Sequence, residues 1–209
     1  MNGTVFDLTV VLPWLDLFGI AIFAVTGALA AARLKQTLVT FSFFALITGV
    51  GGGTVRDLLI GVPVFWVQDA RVPLVCLAAA LLIWMTPNKW WKESAVNWFD
   101  AAGLAAYSVF GTAKALEAGI DFLAAAMMGV ITACVGGIIR DVMAGEPSMI
   151  LGPELYVTAA AFSSVAFVLL TLAGVPFLYA ALLAALAGFA LRAFAMTKGI
   201  ALPNYRGTD

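Results

Sequence analysis

Apolar residues gather into long blocks along this chain, and polar residues fall into short gaps between them. Windows of about 19 residues, the length scale of a bilayer-spanning helix, pick out apolar segments near 11–32, 38–60, 72–86, 96–116, 121–143, 154–173 and 175–196. They predict seven helices. The gaps hold the residues that turns at an interface need: Arg33 and Lys35, Gly61 and Pro63, Pro87 with Asn88 and Lys89, Gly119, Gly145 and Pro147, Gly174 and Pro176. At about 20 residues per span, such helices use up the 209-residue chain and leave no room for a soluble domain.

Composition agrees with that pattern. The chain is 63% apolar and 11% charged, against about 45–50% and 25% for soluble domains, and its mean hydropathy is +1.04. The expected fold class is an all-α integral membrane protein. With 11 basic and 12 acidic residues, a net charge of -1 and no basic run, the chain lacks the patch that neutralises phosphates, so nucleic acid is excluded as a partner. There is no histidine and no metal-ligating cluster in the sequence, and the intramembrane hydroxyls Thr48, Thr54, Ser108 and Thr132 have no evident base. An enzyme is therefore not expected, nor a cofactor or bound metal. Cys76 and Cys134 sit in apolar runs and read as packing residues rather than a disulfide. The first segment lacks a basic leader and is flanked by Asp7 and Asp16, so the first helix is expected to be retained.

Placing the N-terminus outside assigns Arg33, Lys35, Lys89, Lys92, Arg192, Lys198 and Arg206 to the cytoplasmic side and leaves Arg71 and Lys114 on the other. The excess of inward positive charge favours that orientation. Trp90, Trp91 and Trp98 beside Lys89 and Lys92 read as an interfacial anchor.

The chain also repeats itself. Asp16 and Asp100, Gly19 and Gly103, Gly27 and Gly111, Thr48 and Thr132, Gly52 and Gly136, Gly53 and Gly137, Arg56 and Arg140, Asp57 and Asp141, Gly61 and Gly145, and Pro63 and Pro147 all match at a constant offset of 84. The unit GG-x-x-RD-x-x-x-G-x-P recurs in one ungapped register. Repeat one covers about 11–86, repeat two about 96–173, and the helix near 175–196 stands outside. Three helices per unit make the second copy enter the membrane from the opposite side, so the repeats are expected to be inverted around a shared site.

Gly51, Gly52 and Gly53 in the first copy, and Gly136 and Gly137 in the second, lie in mid-span. Two readings stay open for them. The glycines break the helix, which hydrocarbon tolerates only against protein or water, or they merely let helices approach closely. The arginine three residues beyond each pair weighs toward a polar core, because a charge inside a span costs roughly 2.5–3.5 kcal/mol or more. Arg56 and Asp57 are sequence neighbours whose directions on a helix differ by about 100°, so the expected pairs run across the repeats, Arg56 with Asp141 and Arg140 with Asp57. The alternative is that both aspartates anchor helix ends. Thr54-x-x-Asp57 further resembles a capping box for a second half-helix, although Ile138 replaces the threonine in the other copy. Asp16 and Asp100 head the first and fourth helices as polar candidates or as plain helix-start acids. Lys114 and Glu117, one turn apart, read as a surface pair.

These residues resemble a known family. GGGTVRDLLIGVPVFW and GGIIRDVMAGEPS are similar to the duplicated motif of the prokaryotic trimeric intracellular cation (TRIC) channels, over nearly the whole chain. The resemblance implies a homotrimer in the prokaryotic inner membrane, N-terminus outside, with a hydrophilic pore in each protomer that passes monovalent cations such as potassium. It implies kinks at Gly51, Gly52 and Gly53 and at Gly136 and Gly137 in the second and fifth helices, with Arg56 and Arg140 beside the pore; Thr48, Thr54, Thr132, Asp16 and Asp100 are the polar candidates that the chain itself offers for such a pore. Val135 stands where the first copy has Gly51. The alternative function is a secondary transporter of a small amino acid such as glycine, built on the same inverted repeats.

Overall fold

Each apolar block becomes a helix. The computed structural model describes residues 8–92 and 94–203; Asp7 and Arg206, named above, lie outside that range. Among the described residues the helices are α1 (Leu8–Arg33), α2 (Leu38–Leu59), α3 (Phe65–Gln68), α4 (Arg71–Met85), α5 (Ala95–Glu117), α6 (Phe122–Ala144), α7 (Val157–Leu172) and α8 (Phe177–Lys198), with single 3-10 turns at Asn88–Trp90 and Met149–Leu151.

The helices are unequal. Four are long and apolar enough to cross a membrane: Asp16–Arg33 within α1, and α2, α6 and α8. Helices α4 and α7 have 15 and 16 residues, so at 1.5 Å per residue they reach only about 23 Å. Helix α5 has 23 residues but carries Asp100, Lys114 and Glu117, and these charges pull its hydropathy below that of the other long helices.

Local chemistry sets the boundaries. The Thr37 hydroxyl accepts from the Thr40 amide at 3.4 Å to open α2, and the Asp121 carboxylate accepts from the Leu123 amide at 3.2 Å to open α6. Both helices stop alike. Gly61 (φ 73°) and Gly145 (φ 67°) occupy the left-handed position that a side chain resists. Beyond them the Val62 amide donates to the Asp57 carbonyl and the Glu146 amide to the Asp141 carbonyl, each at 3.0 Å, while the Gly61 and Gly145 amides reach the Leu58 and Val142 carbonyls. This is the paired hydrogen bonding of a glycine-terminated helix, and Pro63 and Pro147 then prevent its resumption.

Helix α1 packs on α2, α4 and α5, helix α5 on α6, α7 and α8, and α2 lies directly against α6. Polarity is reversed relative to a soluble domain. Leu58, Leu74, Leu82, Leu169 and Leu186 are exposed on the outside, whereas Thr26, Thr48, Asp57, Ser108, Thr112, Arg140 and Ser163 are buried. Bilayer as outer solvent accounts for both facts. Trp90 is exposed as an anchor should be, but the Trp91 indole turns inward and donates to the Thr86 hydroxyl at 2.8 Å. Cys76 and Cys134 are free and buried.

Candidate functional site

The glycines lie at the α2–α6 contact, and the helices are not interrupted there. Both run through them as continuous helix, which corrects the expected break. A Cβ on Gly52 would land on the Thr132 carbonyl and one on Gly136 on the Thr48 carbonyl. As numbers rise along α2 they fall along α6, so the two helices pass in opposite senses. Close backbone approach, rather than loosening, is the work these two residues do. A Cβ on Gly51 would meet the tip of the Ile139 side chain at 3.1 Å, a looser contact. Gly53 and Gly137 leave room for other groups: a Cβ would meet the Phe65 ring at 2.6 Å in one case and the Tyr156 hydroxyl at 2.8 Å in the other.

Beyond the crossing, each RD-x-x-x-G-x-P unit builds a charged cluster. In the first, Arg56 Nε donates to Asp57 Oδ1 at 2.9 Å and Nη2 lies 2.8 Å from the same oxygen. Asp57 Oδ2 accepts the Phe65 amide at 3.0 Å. In the second, Arg140 Nε donates to Asp141 Oδ1 at 2.9 Å with Nη2 at 2.8 Å, and Asp141 Oδ2 accepts the Met149 amide at 3.1 Å. Every partner again differs by 84. The glycine ends the helix, the chain doubles back, and the aspartate anchors the start of the next turn.

These geometries overturn the expected cross-repeat pairs. Arg56 does not meet Asp141, and Arg140 does not meet Asp57; each arginine binds its own neighbour. The 100° argument holds for Cβ directions, but a guanidinium on a long stem folds back to a carboxylate that sits one residue further on near the helix end. The alternative in which the aspartates anchor helix ends is the one observed. The half-helix capping box fails too, since α2 is continuous and the Thr54 hydroxyl donates to the Val50 carbonyl at 2.8 Å while accepting the Trp66 indole N–H at 2.9 Å.

The surroundings of the two arginines then diverge. Lys114 Nζ lies 3.1 Å from Asp57 Oδ1 and stands over the Phe65 ring at 5.4 Å. It turns to α2 instead of to Glu117, which corrects the surface-pair reading. Arg56 packs over the rings of Phe65 and Phe110 at 5.8 and 5.6 Å. Arg140 Nη1 instead donates to Asp100 Oδ1 at 2.7 Å and to the Thr26 hydroxyl at 3.0 Å. Thr26 is the first-repeat counterpart of Phe110, so a ring faces one arginine where a hydroxyl faces the other. Counting direct ion pairs, the first cluster has two cations to one carboxylate and the second one cation to two; the Asp16 carboxylate lies within electrostatic reach of the first. Arg56, Asp57, Asp100, Arg140 and Asp141 are all buried, and Lys114 and Asp100 stand about 21 Å apart along α5 at ~1.5 Å per residue.

Three other candidates make no ion pair with these clusters, although Asp16 lies within electrostatic reach of Arg56 and Lys114. Asp16 does not repeat the role of Asp100: its carboxylate accepts the Tyr107 hydroxyl at 2.7 Å, beside an apolar cavity of about 290 Å³ between α1, α5 and α8. Thr48 and Thr132 are buried at the crossing, Thr132 donating to the Met128 carbonyl at 2.6 Å and Thr48 Oγ1 without a partner. Arg192, counted above among interfacial charges, is 1% exposed. The rule that singled out Arg56, a lone charge within an apolar run, would have found it. Among the described residues no group of side chains is arranged to hold a metal ion.

A helical bundle with an apolar exterior and buried, ion-paired clusters defines an all-helical membrane protein. One family model, described as Glycine transporter, matches the chain twice, over residues 13–88 and 97–172. A membrane protein of Vibrio cholerae (UPF0126) is 43% identical over 157 residues, spanning 72% of this chain and 64% of the relative's length. The inner membrane protein YadS (UPF0126) of Escherichia coli K12 is 40% identical over 151 residues, 70% of this chain and 72% of its own. The TRIC trimeric intracellular cation channel orthologue from Rhodobacter sphaeroides superposes with a TM-score of 0.84 at 39% identity, covering 93% of this chain and all of that one. The chain belongs to this family, that of the prokaryotic TRIC channels and the UPF0126 membrane proteins.

Proposed function

We propose that the chain is a monovalent cation channel whose pore runs through each protomer, along the α2–α6 crossing and between the two charged clusters. The observation that carries this is the pair of buried, oppositely unbalanced clusters at the two ends of α5 with the glycine crossing between them. Buried charge is costly in a bilayer and marks ion pathways more often than scaffolding. The likeness to a cation channel of 39% identity supports the same reading.

On this reading potassium is the permeant ion, and the second cluster attracts it. The first cluster is the barrier: at an effective dielectric constant of ~20, one unit charge about 6 Å from the path opposes a cation by about 3 kcal/mol. Gly51, Gly52, Gly53, Gly136 and Gly137 shape the narrowest part, Thr48, Thr54 and Thr132 supply polar contacts, and Arg56, Asp57, Arg140 and Asp141 close its ends. The fold is read as two inverted three-helix repeats, about 11–86 and 96–173, with α8 as a seventh span outside them. The protein is read as a homotrimer in lipid of the prokaryotic inner membrane, N-terminus outside and C-terminus cytoplasmic.

Recording from the purified protein in planar bilayers under a potassium gradient tests this. Discrete currents reversing near the potassium potential, and displaced from those of sodium and chloride, are expected. A silent bilayer together with saturable uptake of radiolabelled glycine would instead assign a carrier.

A further inference from the structure

A second polar site lies where α8, the helix outside the repeats, meets the segment joining α6 to α7. A cavity of about 250 Å³ is lined there by Asn97, Ser148, Met149, Leu151, Glu154 and Arg192, among others. Arg192 is 1% exposed. Its Nη2 lies 2.8 Å from Glu154 Oε2, and its guanidinium stacks over the Tyr156 ring at 5.4 Å. Its Nε and Nη1 have no hydrogen-bond partner, and neither does the buried Ser148 hydroxyl on the same cavity wall.

Buried N–H groups of a cation are costly to leave unpaired, and Glu154 engages only one nitrogen while itself remaining about half exposed. The unpaired groups, two guanidinium nitrogens and a hydroxyl, are the set that recognises an oxyanion. The segment is held in place: the Leu202 amide donates to the Pro153 carbonyl at 2.7 Å, and Glu154 pairs with Ala201 in an antiparallel bridge. Leu151 and Leu202 are exposed beside it, which gives the opening an apolar rim.

We infer that Arg192, Ser148 and Asn97 form a binding site for a phosphate group, carried either by an anionic lipid headgroup or by free phosphate. The site borders the second cluster, since Met149 both lines the cavity and gives its amide to Asp141, but Arg192, Ser148 and Asn97 belong to neither cluster.

Titration calorimetry on the purified full chain in neutral detergent tests this, with three probes: inorganic phosphate, short-chain phosphatidylglycerol and short-chain phosphatidylcholine. Phosphate or phosphatidylglycerol is expected to bind with a Kd below about 1 mM, and phosphatidylcholine at least about tenfold more weakly. Binding of both anionic probes identifies the phosphate group itself as sufficient; binding of phosphatidylglycerol alone makes the lipid the source, and binding of phosphate alone makes it the free ion. Arg192→Gln should weaken binding by about tenfold or more, as loss of a charge-assisted hydrogen bond does. Should that variant fail to fold, Ser148→Ala, a smaller change, should weaken it about three- to tenfold. No saturable binding of either anionic probe up to about 10 mM, or unchanged affinity in the folded variants, overturns the site and leaves the cavity as a place for water.

Discussion

The two halves of this chain place the same motif in different company. Both carry an arginine clamped to the next aspartate, and both aspartates hold the amide eight residues on. Around Arg56, however, stand Lys114 and the rings of Phe65 and Phe110; around Arg140 stand Asp100 and the Thr26 hydroxyl. The motif fixes a backbone turn and a local ion pair. What surrounds it differs, a lysine pairing with the motif's aspartate in one half and an aspartate with its arginine in the other, so a symmetric frame ends in two electrically distinct settings.

The largest effect expected from breaking that comparison is on folding. Arg140→Ala strands two buried carboxylates, Asp100 and Asp141, and should cost about 3–5 kcal/mol, the penalty of leaving buried charge uncompensated. Arg56→Ala leaves Asp57 still bound to Lys114 and the Phe65 amide, and should cost about 1–3 kcal/mol. Reversible unfolding in mixed micelles measures both; equal losses would mean that the acidic surroundings of Arg140 carry no special burden.

The glycine crossing comes next, and there the halves should behave alike. Gly52→Ala and Gly136→Ala each drive a methyl onto a backbone carbonyl of the facing helix, which cannot yield as a side-chain end does. Each should lose about 1–3 kcal/mol, while Gly51→Ala, facing only the tip of Ile139, should lose distinctly less by the same unfolding measurement.

Thr54→Ala removes the acceptor of the Trp66 indole N–H and should cost about 1 kcal/mol, visible also as a shift in tryptophan emission. Its counterpart, Ile138, has no such bond to lose. The smallest effect belongs to the surface pair of Asp69 and Arg71. The Arg71 guanidinium holds the Asp69 carboxyl below the usual carboxylate range, so any stabilisation is present above that range and fades as pH falls through the lowered value. Asp69→Asn should leave the unfolding curve unchanged within error at neutral pH, as exposed pairs do.

Much of this was legible in the sequence. Apolar blocks located the helices because the bilayer demands them, and the constant offset exposed the RD-x-x-x-G-x-P unit because its glycine, proline and aspartate each have a fixed backbone task. The partners were less legible. Arg56 reaching back to Asp57 depends on stem length rather than on Cβ direction. Asp100 joining Arg140 while Asp16 goes to Tyr107 depends on how α5 seats against α1 and α6, which no local pattern encodes. Lys114 has no counterpart in the first repeat, where Ala30 stands, so the repeat gave no hint of its role. Arg192, in a helix outside the duplication, was hidden by being counted with the interfacial charges.

The central claim is that the opposite charge of the two clusters governs cation passage. Unitary potassium conductance of Lys114→Gln and Asp100→Asn beside the wild type, in the same planar bilayer, tests it most directly. Removing the extra cation from the first cluster should raise the conductance severalfold, and removing the extra carboxylate from the second should lower it severalfold. If both folded variants conduct as the wild type does, or if both shift in the same direction, the clusters do not set the path and the account is wrong.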